Sequence, residues 1–420
     1  MDKAAKLSDF AYVNPATDTK GAASDASVAF IPMAAVAEGG GWHATEHRPI
    51  SDGRRGYTLF QRGDVIVAKI TPCFENGKVA LLSALETDFG LGSTEFHVLR
   101  AKPGHDPRFI YHWTRHPAFL RAGEASMTGS AGQRRVPAGF FERFEIPRIE
   151  GPSQAAIADI LDALDDAILE ADALIEKLRT VRVGLIDDLL TRGVADDGSP
   201  RVSSALVKTV VGPRPATWKV ANLGRFVVGA EYGTNLSLGD SSMGIPVLRM
   251  NNIQDGEFDL ADLKHAPAHA VERFRVQRDD VLFNRTNSWE HVGKAAIWRH
   301  DEPGPAFASY LVRLHCGDEL LPEFLHLWLN WAPVQRAIRQ FATPGVQQVN
   351  INPTNLRRAI IAVPDTLDEQ RAIIERVSGV SAAIEDHRRE RAKLAALREG
   401  LRDDLLSGRK LVAAIREAAE

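Results

Sequence analysis

The chain has 420 residues, 44% hydrophobic and 25% charged, with a formal net charge of −4. That is enough for two or three domains with true cores, and too little positive charge to advertise nucleic-acid binding by net charge alone. Cys73 and Cys316 stand outside any CxxC spacing, which excludes a disulfide framework and a thiolate zinc site. No apolar run is long enough to span a bilayer and Met1 to Asp18 has no signal-peptide core, so a cytoplasmic protein is expected.

Residues 1–150 read as a first module. Alternating or β-branched runs at Asp64 to Ile70, Lys78 to Leu82 and Glu95 to Ala101 predict strands, and Arg108 to Gly123 is helical in pattern. Residues 151–193 follow as a central spacer helix. Its apolar positions Ile157, Leu161, Leu164, Ile168, Ala171, Ile175 and Leu178 alternate four and three apart, a heptad seam. At 1.5 Å per residue such a helix runs on the order of 60 Å, too long for one compact domain to bury alone, so it needs a partner. Residues 194–217, rich in Gly, Pro, Ser and Asp, read as a linker. A second module covers 218–365, a C-terminal spacer helix 366–409, and a tail 410–420. The second seam uses Ile373, Val377, Val380, Ile384, Leu394 and Leu401, but His387 and Arg391 interrupt it. Looser packing, or contact with another protein, is expected there.

The second half repeats the first. Gln154 lies over Gln370, an offset of 216 residues that also sets GLIDDLL (from Gly184) over GLRDDLL (from Gly400), QRGDV (from Gln61) over QRDDV (from Gln277), and Gly77-Lys78 over Gly293-Lys294. At a slightly smaller offset GQRRV, Gly132 to Val136, matches GVQQV, Gly345 to Val349. The expected fold is therefore α+β: two tandem α/β modules separated by two long helices that pair as an antiparallel coiled coil, with a pseudo-twofold internal repeat. Antiparallel pairing spares the linker a second crossing of the helix length.

Catalytic motifs are missing. Asn352-Pro353-Thr354 and Asn14-Pro15-Ala16 lack the second proline and aromatic of an adenine methyltransferase, no GxxxxGK[ST] loop occurs, and HWTRH (His112 to His116) lacks the glutamate of a zinc helix.

The phrases ITPCFENGK (Ile70 to Lys78), GIPVLRMNNIQDGEFD (Gly244 to Asp259), DDVLFNRTNSWEHVGK (Asp279 to Lys294), INPTNLRRAIIAVP (Ile351 to Pro364) and LDEQRAI (Leu367 to Ile373), with the paired helix ends, resemble the specificity subunit of type I restriction-modification systems. The resemblance implies a noncatalytic chain with two target-recognition domains, each reading one half of a bipartite DNA site. The helical pair would set the gap and dock two DNA methyltransferase (modification) subunits, with motor-nuclease (restriction) subunits completing the complex. It implies no cofactor on this chain, S-adenosylmethionine, ATP and Mg being expected in partner subunits, and no membrane partner. The alternative is an interaction scaffold built on the helical pair without sequence-specific DNA recognition.

Candidate DNA-binding residues are polar or basic groups in loops and at strand ends, where a rigid scaffold displays recognition groups. In the first module they are Arg54, Arg55, Lys69, Thr71, Asn76, Lys78, Gln133, Arg134 and Arg135. In the second they are Arg249, Asn251, Asn252, Asn284, Arg285, Asn287, Lys294, Gln347, Gln348 and Asn350. Lys78 and Lys294, each after a glycine, suit phosphate contact or a strand cap. Exchange of Arg134-Arg135 for Gln347-Gln348 suits a change from guanine to adenine. Trp289 suits stacking on bases or packing within its loop.

Overall fold

The heptad-patterned stretch forms one helix, Gly151–Arg192, and the second seam another, Leu367–Leu406. The computed structural model describes residues 4–19, 23, 25–43, 46–130, 132–195, 198–199, 201, 206–240, 243–345 and 348–409. The chain divides into two units, Met1–Ala173 with Arg388–Glu420, and Leu174–His387. Each long helix contributes part of its length to both.

In the first unit the strands Ala11–Val13, Phe96–Ala101, Val65–Ala68 and Val79–Leu81 form an antiparallel sheet in that order. A second sheet orders Glu46–Pro49, Ser27–Ile31, Phe89–Gly92 and Thr58–Gln61, with its two middle strands parallel. Phe10, Phe109, Phe119 and Phe141 form the core together with Ile157 and Leu161 of the central helix and Leu405 and Leu406 of the C-terminal helix. The second unit repeats the first sheet as Val227–Tyr232, Leu311–Cys316, Val281–Asn284 and Ala295–Ile297. Its core gathers Trp218, Phe226, Phe283, Phe324 and Trp328 around Leu189, Leu190, Ile373 and Val377 of the helices.

The matching glutamines do matching work. Gln154 is fully buried; its Oε1 accepts from the Asp106 amide at 3.0 Å and its amide donates to the Ile149 carbonyl at 2.6 Å. Gln370, also fully buried, accepts from the Leu321 amide at 2.9 Å and donates to the Glu319 carbonyl at 2.9 Å. Asp106 and Leu321 each precede a helix, Pro107–Thr114 and Pro322–Asn330. One carboxamide thus satisfies a free helix-end donor and fixes where the long helix leaves its module. The QRGDV and QRDDV turns also match. Asp64 accepts from the Gln61 amide at 2.8 Å and pairs with Arg100, while Asp280 accepts from the Gln277 amide at 2.7 Å and pairs with Arg313.

The helices run antiparallel in each unit. In the first, Asp165 meets Arg398 at 2.8 Å and Asp172 meets Arg391 at 3.1 Å, one number rising as the other falls. In the second, Arg182 donates to the Ser381 hydroxyl at 2.9 Å and the Val194 amide to Glu369 at 3.0 Å. Ile157, Leu161, Ile175, Ile373, Val377 and Ile384 are buried, whereas Leu164, Ile168, Leu178, Val380, Leu394 and Leu401 are half-buried. At Arg391 the seam carries a polar contact in place of an apolar one, the guanidinium meeting Asp172 of the facing helix at 3.1 Å.

The stretch read as a linker is in part folded. Leu206–Thr209 and Gly212–Pro215 make a hairpin. Arg214 is buried against the indoles of Trp328 and Trp331, 5.6 and 5.0 Å from the ring centroids, and burial pushes its pKa down to about 10. Glu369 further ties this region down by accepting from Trp218 Nε1 at 3.1 Å and pairing with Arg201. The tail, 410–420, lies outside the described residues.

Candidate nucleic-acid interface

In the first unit the segment around Arg135 closes against the end of the Val65–Ala68 strand. Ile70 and Thr128 both bridge to Arg135, the Val136 amide donates to the Lys69 carbonyl at 2.8 Å, and the Thr71 amide to the Arg134 carbonyl at 3.0 Å. Lys69, Thr71, Arg134 and Arg135 are therefore neighbours although more than sixty residues separate the two pairs in sequence. Arg135 forks onto Glu95, Nη2 to Oε1 at 2.7 Å and Nε to Oε2 at 3.0 Å. The Arg135 hydrogen bond in turn holds the Glu95 carboxyl below the usual carboxylate range. Thr71 donates its hydroxyl proton to Glu75 at 2.6 Å, and Arg134 stands 3.5 Å from the same carboxylate. Gln133 is exposed. Asn76 donates to Glu38 at 2.7 Å, and the Lys78 ammonium to the Met33 carbonyl at 3.3 Å.

In the second unit Thr286–Asn287 pairs with Val349–Ile351, which also pairs with Ala342–Pro344. Arg285 donates to Asn350 Oδ1 at 2.8 Å and to the Ser309 carbonyl at 3.3 Å, with its guanidinium 5.2 Å from the Tyr232 ring centroid. Asn287 donates to the Met250 carbonyl at 3.3 Å. Arg249 pairs with Asp262 at 2.8 Å, and Asn251 is exposed. Gln348 is exposed, as is Trp289, at 49%.

Several candidates do not present themselves. Asn252 and Asn284 are buried, 1% and 0% exposed. Asn252 gives its amide protons to the carbonyls of Asp259 and Asp262, and Asn284 gives one to Met250. Both brace backbone that has no strand partner there. Lys294 lines a cavity of about 900 Å³ with His326, Trp331 and Arg336, and that lining includes neither Arg285 nor Asn350. Gln347 and the side chains of Arg54 and Arg55 lie outside the described residues.

Backbone pairing also corrects the alignment of GQRRV with GVQQV. The Val136 amide to the Lys69 carbonyl is matched by the Ile351 amide to the Arg285 carbonyl, both at 2.8 Å. The bridge of Thr128 with Arg135 is matched by that of Thr343 with Asn350. Arg135 thus answers Asn350, 215 residues on, and Gln133 answers Gln348, so the Arg-to-Gln exchange read from the sequence is shifted by two residues. The same frame picks out residues the sequence reading passed over. The Lys69 amide donates to the Glu95 carbonyl at 2.9 Å and the Arg285 amide to the Tyr310 carbonyl at 3.0 Å, so Glu95 answers Tyr310.

The fold and this surface define a class: a duplicated α+β chain whose two units share a strand framework, each with a polar surface where two strand ends meet, and both built onto paired long helices. The homologues in turn are specificity subunits of type I restriction enzymes. The EcoEI specificity subunit of Escherichia coli is 24% identical over 87% of this chain and 75% of its own length. The EcoAI specificity subunit of Escherichia coli is 42% identical over 34% of this chain, a match spanning about a quarter (24%) of that relative. Among solved structures, a chain from a type I restriction-modification assembly shares the fold with a TM-score of 0.58, 18% identity and 97% coverage of both chains. The S subunit from M. genitalium does so at 0.56, 13% identity and 96% coverage of both chains. No family model matches the sequence. Among the described residues, no helix is long and apolar enough to cross a membrane.

Proposed function

We propose that this chain is the sequence-reading, noncatalytic specificity subunit of a type I restriction-modification complex, with each unit reading one half of a bipartite DNA site. The carrying observation is the shared strand framework with different polar side chains at equivalent positions, in a chain homologous to specificity subunits over most of its length. Reading two different half-sites calls for such an arrangement, because phosphate contacts position a protein while side chains at base edges specify the sequence. A helical scaffold without DNA recognition has no use for that divergence.

In this reading the paired helices set the unread gap and dock two methyltransferase subunits, and motor-nuclease subunits join them. S-adenosylmethionine, ATP and Mg belong to those partners, and the complex works in the cytoplasm on double-stranded DNA. This reading assigns DNA contact to the exposed candidates Gln133, Asn251 and Gln348 and to Arg134 and Asn287.

A methylation map tests the proposal. The chain is expressed with its methyltransferase subunit in a host lacking adenine methylation, and modified bases are read by sequencing. Methylated adenines in one bipartite motif with a fixed gap, absent without this chain, are expected. A stable complex whose methylation ignores this chain would favour the scaffold.

A further inference from the structure

The two units share more than their order of elements: three backbone positions coincide hydrogen bond for hydrogen bond. Lys69, Glu95 and Arg135 in the first unit correspond to Arg285, Tyr310 and Asn350 in the second, through the matched amide-to-carbonyl bonds and strand bridges described above. Around them the side-chain chemistry is retained: Val136 answers Ile351, Val65 answers Val281 and Val67 answers Phe283, all buried. At the three positions polarity and access are retained, and positive charge at the first, while the side chains differ. Lysine stands against arginine, glutamate against tyrosine, arginine against asparagine; five are half-buried and Tyr310 is 42% exposed.

We infer that these three positions form the base-discriminating site of each unit, with Arg135 selecting guanine in one half-site and Asn350 selecting adenine in the other. The inference rests on the specificity-subunit reading and assigns residues to it.

Pre-organisation supports it. Arg135 spends Nε and one Nη2 proton on Glu95, and Nη1 reaches the Gln133 carbonyl at 3.1 Å. One proton each on Nη1 and Nη2 remains, the number that guanine O6 and N7 require. A guanidinium so held loses little freedom on binding. In the second unit Arg285, stacked on Tyr232, fixes Asn350 by donating to its Oδ1 at 2.8 Å. That oxygen keeps a second lone pair and the amide keeps its protons, so Asn350 can accept from adenine N6 and donate to N7. Glu95 and Arg285 are thus positioning residues, while Arg135 and Asn350 meet the bases.

The test uses the full chain with its methyltransferase subunit and maps methylation for Arg135→Lys and Asn350→Ala. Lysine keeps the charge that a phosphate contact would need but loses the planar fork. Arg135→Lys is expected to relax one base pair in one half-site by about 5- to 150-fold, the equivalent of a bidentate contact, leaving the other half-site and the gap unchanged. Asn350→Ala should relax one position in the other half-site. Should either variant methylate nothing, binding of the complex at low salt to the parental duplex and its single-base variants reads the same preference. Base preferences unchanged in both variants, or weakened evenly over all bases, would overturn the assignment. Parental methylation that ignores the chain altogether would instead bring down the specificity-subunit reading, so the two failures are distinguishable.

Discussion

His326 is an acid-sensitive residue within the second unit. His326 is 2% exposed, its Nε2 donates to the Gly256 carbonyl at 2.7 Å, and its Nδ1 has no partner among the described residues. Burial pushes its pKa down to about 4. Because the folded value lies below the unfolded one, the neutral ring belongs to the folded state. Stability is whole above about pH 6.5 and falls as pH drops toward 4, by roughly 3 kcal/mol. Hydrogen exchange in Pro322–Asn330 should show this loss, and His326→Gln, which can still donate to Gly256, should flatten it. The buried glutamines give a second expectation at this scale. Gln370→Ala leaves the Leu321 amide and Glu319 carbonyl unpaired and should cost about 1–3 kcal/mol. Gln154→Ala should cost a similar amount in the first unit. Thermal unfolding measures both, and a shift confined to one of them would break the equivalence.

Between elements, the helix pair is held unevenly. Asp165, with its side chain 23% exposed, takes Arg115 at 2.7 Å and Arg398 at 2.8 Å. Burial works to raise its carboxyl, yet the two arginines hold it below the ordinary range. Asp172 meets Arg391 with both side chains over 40% exposed, where an ion pair contributes about 0–1 kcal/mol. Asp165→Ala strands two half-buried cations and should therefore lower the melting temperature several-fold more than Asp172→Ala; equal shifts would refute the distinction. These helices were legible in sequence because a heptad seam and its copy are local signals. The Asp165 cluster was not, since Arg115 and Arg398 come together with it only through packing. The register of the Arg135 and Asn350 segments was misread for a related reason: a gapless match of glycine to glycine and valine to valine cannot register what strand pairing decides. Asn252 and Asn284 looked like display residues because loop asparagines so often are, and only burial shows them bracing carbonyls.

At the scale of the whole molecule, the proposed function makes gap and half-sites separately adjustable. Inserting seven residues into both long helices, after Ala173 and after His387, preserves the heptad and lengthens the pair by about 10 Å. The tolerated gap should then grow by about three base pairs at ~3.4 Å each, with both half-sites unchanged in the methylation map. Altered half-sites at a constant gap would sink the ruler.

The division of the chain also bears on its synthesis. The second unit is one continuous stretch, Leu174–His387, whereas the first must wait for Arg388 onward. Leu405 and Leu406, both fully buried, complete a core that begins at Ala5 and Leu7. On the ribosome, where domains fold as they emerge, the continuous second unit can close before the divided first one is complete. Until Leu405 and Leu406 are made, the core that holds Phe10 and Phe141 lacks the two side chains that the C-terminal helix contributes to it, and chaperones have their longest opportunity in the first unit.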